Sequence, residues 1–190
     1  MIGTVFLDRD GVINDKAAED DYIASWDRFR FAPGALEALR RLAQAEVRIV
    51  VLTNQRGIAR GRLTEEDLAG IHQRMAAAVE AADGRIDAIF HCPHDLGVCD
   101  CRKPGTGLFT RAAAQLPAVR FAESATVGDS LSDVESAVRV GSLAYLVGDG
   151  PRLTALLEEA EQRGLPVAGS GRSLLDVVTR HLLEDGSDYG

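Results

Sequence analysis

Four acidic residues stand where carboxylates could do chemistry. Asp8 and Asp10 directly follow an apolar run that ends at Leu7. Asp129 follows a second apolar run, and Asp133 lies four residues later. Carboxylates two residues apart repel each other unless a cation or a proton lies between them, and hard oxygen ligands of this kind suit Mg²⁺. Because Asp and Gly are also common turn formers, the first pair alone is equally compatible with an ordinary loop.

Hydrogen-bond donors and cations stand between the two acidic pairs in the chain. Thr53, Asn54 and Gln55 end a nearly continuous β-branched run, and Arg102 and Lys103 supply two positive charges. Carboxylates that hold Mg²⁺, together with such donors and cations, indicate a site for phosphoryl chemistry.

The elements that must position these residues alternate along the chain. Strands are predicted at residues 4–7, 48–52, 88–91, 125–127 and 143–147, and helices at 34–45, 64–82, 108–116, 132–140, 153–163 and 174–183. This order predicts an α/β fold over a single domain of residues 1–190. We expect a Rossmann-like, doubly wound parallel sheet with helices on both faces and no large cap domain. Because parallel strands deliver their carboxyl ends to one edge, Asp129 should approach Asp8.

Four short motifs follow one another across residues 4–133. They are Asp8-x-Asp10-Gly11, Thr53-Asn54, Lys103-Pro104 and Gly128-Asp129. Their order and spacing resemble those of the haloacid dehalogenase (HAD) superfamily of phosphotransferases. The resemblance implies that Asp8 is the nucleophile that forms an aspartyl-phosphate, and that Asp10 is the general acid and then the base.

The same resemblance implies ligands for the phosphoryl group and for a metal ion. Thr53 and Lys103 would hold the phosphoryl oxygens. Mg²⁺ would be held by the Asp8 side chain, the Asp10 backbone carbonyl and Asp129. Since the nucleophile must lack its proton and Asp10 must initially carry one, we expect their pKa values to be pushed apart in that order.

Three cysteines and a histidine lie within ten positions. Cys92 and His94 bracket one residue, and Cys99 and Cys101 bracket another, so two short arms can each deliver two ligands to a tetrahedron. We predict a closed structural Zn²⁺ site that staples loop 92–101 directly ahead of Arg102. The alternatives are buried free cysteines beside a solvated histidine, or a redox pair.

This Cys/His cluster narrows the resemblance when it is taken with residues 6–14 and 53–55. The combination is similar to the zinc-bearing HAD subgroup that comprises heptose bisphosphate phosphatases and histidinol-phosphatases. Residues 53–65 are more similar to the heptose enzymes, which implies removal of the 7-phosphate of D-glycero-D-manno-heptose 1,7-bisphosphate. Only four residues separate His94 from Cys99. That short loop is more similar to the histidinol-phosphatases, so histidinol phosphate is the alternative substrate.

Loops around the acids carry the predicted substrate contacts. The candidates are Asp20, Asp21 and Tyr22 after the first strand, Thr53, Asn54, Gln55, Arg56 and Arg60 after the second, and Arg102, Lys103 and Ser130 further along. Guanidinium groups bind phosphate in a bidentate manner, so Arg56, Arg60 or Arg102 could hold a second phosphate. Arg56, Arg60 and the acids of the first loop could equally be solvated loop residues.

Composition narrows the class of protein. Lys and Arg number 21 against 29 Asp and Glu, a net charge of −8 that should repel a nucleic-acid backbone. Without a basic leader or an apolar stretch of about 20 residues, we expect a cytoplasmic protein that does not span a membrane. We expect a monomeric enzyme of carbohydrate metabolism that acts on a small phosphate ester, with a frayed polar tail at 184–190. The alternative class is a zinc-stapled binding module without catalysis.

Overall fold

The computed structural model describes residues 2–18 and 21–183. Within these ranges the chain forms a six-stranded parallel sheet in the order β3-β2-β1-β4-β5-β6. The strands are β1 (Thr4–Leu7), β2 (Arg48–Asn54), β3 (Ala88–Cys92), β4 (Ser124–Gly128), β5 (Leu143–Val147) and β6 (Gly169–Gly171). The predicted doubly wound parallel sheet is confirmed. The predicted contact at Asp20 and the predicted polar tail at 184–190 lie outside the described residues.

Helices follow the strands in alternation. They are α1 (Ala35–Gln44), α2 (Glu65–Ala81), α3 (Gly107–Gln115), α4 (Leu131–Val140), α5 (Gly150–Gln162) and α6 (Leu174–Val177), and α6 continues into a π-helical turn, Val178–Leu182. Short 3₁₀ helices occupy Trp26–Arg28 and Phe121–Glu123. No described helix is long and apolar enough to cross a membrane.

The two faces of the sheet are buried in different clusters because alternate strand residues point to opposite sides. Val5 and Leu7 of β1 lie in one cluster with side chains of α1, α2 and α6, whereas Phe6 lies in another with α3. Leu146 of β5 is buried with side chains of α4 and α5. Each fully buried side chain of this size contributes about 1.5–3 kcal/mol to folding. Both faces are therefore covered, and polar ligands can approach only at the edges.

Three local assignments from the sequence need correction. The helix predicted from residue 153 begins earlier, because α5 starts at Gly150 and Pro151 is tolerated in a first turn whose N–H groups need no helical partner. The helix predicted over 174–183 is α-helical only as far as Val177. β6 was not predicted, because Gly-Ser-Gly has no strand propensity and pairs only through its register with β5.

The winding of the sheet reverses between β1 and β4, which are neighbours although their residues are far apart in sequence. Leu7 is in register with Val127, and the Asp8 N–H donates to the Val127 carbonyl at 3.0 Å. In doubly wound sheets the ligand crevice opens at this reversal, outside the carboxyl ends of the strands. The fold therefore brings the two acidic motifs to one place.

Candidate active site

The carboxylates of Asp8, Asp129 and Asp133 converge at the carboxyl ends of β1 and β4. Ligand oxygens from all three lie within 4.8 Å of one another. Gly128 makes room for this approach, because a Cβ atom at that position would lie 2.2 Å from the Cβ of Asp133. A compact group of hard oxygen donors of this kind could hold Mg²⁺.

The ammonium group of Lys103 lies between two of these acids. Its Nζ is 3.1 Å from Oδ1 of Asp8 and 2.5 Å from Oδ1 of Asp133. It also donates to the Leu52 carbonyl at 2.7 Å. Asn54 fixes the lysine backbone from both sides, accepting from its N–H at 3.0 Å and donating to its carbonyl at 3.1 Å. The Asn54 amide is therefore used to position Lys103.

Burial and neighbouring charges perturb both members of this pair. Desolvation raises the pKa of Asp8, and the attraction of Lys103 only partly offsets the rise. The carboxylates of Asp133, Asp129 and Asp10 raise the pKa of Asp8 further. Burial alone would lower the pKa of Lys103, but Asp133 and Asp8 hold it above its ordinary value. The site thus keeps a cationic lysine and an excess of negative charge, which a divalent cation would offset.

Three side chains hold the carboxylate of Asp10. Arg9 donates from Nη2 to both carboxylate oxygens at 3.0 Å, while Asn14 and Gln55 each donate one bond at 2.9 Å. Burial would raise the pKa of Asp10, but the Arg9 charge and these bonds lower it. The sequence predicted the reverse order, with the proton on Asp10. Without a metal ion the protein's own groups favour the opposite order, because Asp8 lies among other carboxylates and Asp10 is paired with the Arg9 guanidinium. The order expected with Mg²⁺ bound stays a prediction.

A cleft of about 350 Å³ opens beside the acids. Its lining contains the predicted residues Asp8, Asp10, Asp21, Tyr22, Asn54, Gln55, Arg56, Arg102, Lys103, Asp129 and Ser130, together with Lys16, Ala17, Ala18, Ile23 and Ser132. Thr53 does not line the cleft; it is buried, and its Oγ1 accepts from Gln55 at 2.9 Å. Arg60 is exposed and stands outside the lining that the described residues form.

The two cleft arginines differ in their partners. Arg56 forms an ion pair with Asp95 of the Cys/His loop. Nη1 of Arg102 is buried and has no hydrogen-bond partner among the described residues. Buried N–H groups are normally paired, and Arg102 belongs to the lining of the cleft, so this guanidinium is suited to an anionic ligand.

Two cationic side chains that contact the carboxylate of Asp129 were not identified from the sequence. Nζ of Lys16 and Nη2 of Arg152 each lie 2.7 Å from its Oδ2 atom. Lys16 belongs to the loop after β1, and Arg152 lies in the first turn of α5. No motif marks either residue, because only the packing of loops at the sheet edge brings them to the acid. Arg9 and Asn14 were also missed, although their place beside Asp10 in the sequence could have indicated them.

The second cluster consists of Cys92, His94, Cys99 and Cys101. All four ligand atoms lie within 4.8 Å of one another. The Sγ of Cys92 lies 3.6, 3.5 and 3.2 Å from the ligand atoms of His94, Cys99 and Cys101. A tetrahedron with metal–sulfur bonds of about 2.3 Å has edges of about 3.8 Å. The donor set and its spacing therefore fit a four-coordinate metal ion.

Known proteins resemble this chain over most of its length. Residues 4–140 match the family model described as polynucleotide kinase 3 phosphatase. The D-glycero-beta-D-manno-heptose-1,7-bisphosphate 7-phosphatase of Bordetella bronchiseptica is 39% identical over 185 residues, covering 95% of this chain and 98% of the relative. The protein of that name from Escherichia coli K12 is 37% identical over 169 residues, covering 84% and 86%.

A solved structure extends the likeness to three dimensions. The D,D-heptose 1,7-bisphosphate phosphatase from B. bronchiseptica, complexed with magnesium and phosphate, superimposes with a TM-score of 0.83 at 37% identity. The match covers 93% of this chain and 96% of that one. Fold, motifs and relatives agree on a phosphatase of the HAD superfamily, as the sequence resemblance implied. Within that superfamily the chain belongs to the D-glycero-beta-D-manno-heptose-1,7-bisphosphate 7-phosphatase family.

Proposed function

We propose that the chain is a Mg²⁺-dependent phosphomonoesterase that works through an aspartyl-phosphate on Asp8. The observation that carries the proposal is the position of the Asp8 carboxylate, 3.1 Å from Lys103 Nζ and grouped with Asp129 and Asp133. A carboxylate can attack an anionic phosphate only when positive charge offsets the repulsion. Lys103 supplies one such charge, and Asn54 holds it in place.

The acidic group fits the ion that this chemistry needs. Mg²⁺ prefers oxygen ligands and is typically bound by one or two carboxylates together with substrate phosphate. We assign the Asp8 side chain, the Asp10 backbone carbonyl and Asp129 as its ligands. When bound, the ion supplies the positive charge that favours ionised Asp8 and screens the incoming phosphate.

Asp10 is the proposed proton carrier. In the first step an Asp8 oxygen attacks phosphorus, the ester P–O bond breaks, and the leaving oxygen takes a proton from Asp10. In the second step the Asp10 carboxylate accepts a proton from water as the water oxygen attacks phosphorus and releases Asp8. Because Arg9, Asn14 and Gln55 favour the ionised form of Asp10, the protein's own groups prepare it best for the second step.

The substrate proposed here is D-glycero-D-manno-heptose 1,7-bisphosphate, cleaved at the 7-phosphate. The names of the relatives support this choice. The cleft also supports a second anionic group, because the guanidinium groups of Arg56 and Arg102 both belong to its lining. Asp21 and Tyr22 stand in the lining where sugar hydroxyls could bond. Arg60, outside the lining, is not included in this proposal.

We further propose Zn²⁺ as the ion of the Cys/His cluster. Three thiols and one imidazole are a closed tetrahedral set that leaves no open position for water, so the role is structural. The cluster ends at Cys101, immediately before Arg102 and Lys103. Free thiols that bind zinc are typical of a reducing compartment, which supports a cytoplasmic location.

A phosphate-release assay with defined esters tests the proposed reaction. The panel contains heptose 1,7-bisphosphate, histidinol phosphate, fructose 1,6-bisphosphate and a 3′-phosphorylated oligonucleotide, each with and without Mg²⁺. We expect the first ester to have the highest kcat/KM and its product to retain the 1-phosphate by ³¹P NMR. The four-residue separation of His94 and Cys99 makes histidinol phosphate the competing substrate. A higher kcat/KM for histidinol phosphate would contradict the proposed substrate. Inactivity on the whole panel would contradict the proposal that the chain is a phosphomonoesterase.

A further inference from the structure

We propose that His72 is a positioning residue for the reaction, acting through Arg9 on the carboxylate of Asp10. The inference rests on the proposed role of Asp10 as proton carrier. His72 belongs to α2, 62 residues beyond Asp10 in the sequence, and does not line the cleft formed by the described residues. Its influence must therefore pass through a second side chain.

Arg9 is that second side chain. It is fully buried at 0% exposure, although it stands between two residues of the active site. Its Nε and Nη2 both point to the Asp10 carboxylate, at 3.3 and 3.0 Å. A buried guanidinium needs partners for its remaining N–H groups, because a buried donor left unpaired is destabilising. The orientation of the Arg9 guanidinium therefore depends on which group accepts a hydrogen bond from Nη1.

His72 receives Nη1. Its Nε2 lies 3.2 Å from Nη1 of Arg9, in a buried contact. Arginine has only donors, so Nε2 must be the acceptor and the proton of the neutral ring must reside on Nδ1. A protonated imidazole would present a second N–H to Arg9 and break the contact. The geometry thus requires a neutral histidine.

The surroundings of His72 keep it neutral. Burial, with Arg9 and His91 adding repulsion, lowers the pKa of His72 to about 3, while Asp10 opposes the change. The His91 ring lies 6.1 Å away, centroid to centroid, and its own Nε2 lies 2.7 Å from the Glu65 carboxylate. His72 therefore accepts from Arg9 across the whole working range of pH.

Loss of the His72 acceptor should slow the proton transfers that Asp10 carries out more than the attack of Asp8 on phosphorus. The first step on a sugar ester expels an alkoxide that must be protonated by Asp10, whereas p-nitrophenolate leaves without a proton. The second step needs Asp10 as base with either ester. A misdirected Asp10 should therefore slow both steps on a sugar ester, but only the second step on p-nitrophenyl phosphate.

Substitutions at position 72 separate acceptor function from packing. In His72→Gln the amide oxygen can take the place of Nε2, whereas His72→Leu fills the space without an acceptor. His72→Asn is a polar but shorter comparison, for use if the leucine variant does not fold. Each variant is first checked by circular dichroism and thermal unfolding with the full chain and Mg²⁺.

We expect the leucine or asparagine variant to lose about 10- to 100-fold in kcat on heptose 1,7-bisphosphate, with KM within twofold. On p-nitrophenyl phosphate it should release one equivalent of p-nitrophenolate in a fast burst and then turn over slowly. His72→Gln should restore kcat to within about threefold of the parent chain.

Other outcomes overturn the proposal. Equal losses in the glutamine variant and in the leucine or asparagine variant would assign the effect to packing. Unchanged kcat in all of them would remove His72 from the reaction. Asp10→Asn is measured in parallel. If Asp10→Asn retains turnover, the proposed role of Asp10 fails and the inference about His72 fails with it. If Asp10→Asn is inactive but the His72 variants keep the parental kcat, only the inference about His72 fails, so the two failures are distinguishable.

Discussion

Gly11 lies directly against the carboxylate of Asp129. A Cβ atom on residue 11 would stand 2.5 Å from Oδ2 of Asp129, and the backbone there has a φ of 86°. Both the space and the backbone conformation therefore require glycine at the turn directly after Asp10.

Gly11→Ala is expected to weaken Mg²⁺ binding as well as folding. The positive φ alone costs about 1–2 kcal/mol, and the new methyl group must also displace the Asp129 carboxylate. Gly61→Ala is the matched control, because Gly61 has a φ of 65° with open space around its missing Cβ. Isothermal titration with Mg²⁺ and urea unfolding check the pair. Equal Mg²⁺ affinity in the two variants would contradict the steric explanation.

Asp8→Asn should abolish turnover while preserving the fold. The amide keeps the size of the side chain but cannot become an acyl phosphate, so we expect at least a 1,000-fold loss of kcat. Because burial and nearby carboxylates raise the pKa of Asp8, a neutral residue should not destabilise the folded chain at pH 7.5. Asp83→Asn, at an exposed position with a φ of 57°, is the control for a neutralised acid. Phosphate release above a thousandth of the parental rate would remove Asp8 as nucleophile.

Lys103→Met should destabilise the protein as well as inactivate it. The methionine leaves two carboxylates without their cation in a buried site, and removing one partner of such a pair costs about 3–5 kcal/mol. Asp133→Asn in the same chain should recover part of that loss, since Asp133 lies 2.5 Å from the lysine. A double-mutant cycle in urea measures the coupling. If the effects of the two substitutions on the free energy of unfolding were strictly additive, the Lys103–Asp133 ion pair would have no coupling energy.

Removal of the cluster metal should lower both thermal stability and activity. The ligands end at Cys101, so an unfolded loop would release the lysine that follows two residues later. Cys99→Ser is expected to lose one equivalent of bound metal and most of its turnover at low temperature. Val98→Ser changes the same loop at an exposed position and should keep both. Full activity after verified loss of the metal would contradict a coupling between loop and lysine.

Acid should destabilise the protein partly through His72. Its folded-state pKa of about 3 lies below the ordinary value of about 6.5, so the unfolded chain binds the proton first. The stability contribution is complete above about pH 6.5 and is lost as pH falls toward 3. Between pH 7.5 and 5.0 the loss from this residue is about 2 kcal/mol. His72→Gln should remove that part of the pH dependence, as measured by urea unfolding at both pH values; an unchanged slope would count against it.

The sequence predicted the elements with strong local signals. The helix predicted from residue 64 begins at Glu65, with Thr64 and Asp67 forming a capping box. The alternation of strands and helices was sufficient to predict that Asp129 approaches Asp8. The surroundings of Asp10 could not be predicted in the same way. Its pKa depends on how Arg9 and Gln55 point, and side-chain direction at a sheet edge follows from tertiary packing.

The adjacency of β1 and β4 also determines when the site can form during synthesis. A nascent chain that has left the ribosome only as far as α3 already carries Asp8 and Lys103, but it lacks Asp129 and Asp133. Hydrolytic competence therefore arrives after about two thirds of the polypeptide has been translated. Fragments from interrupted translation that stop before β4 would display a nucleophile without its partners and would leave cellular phosphate esters intact.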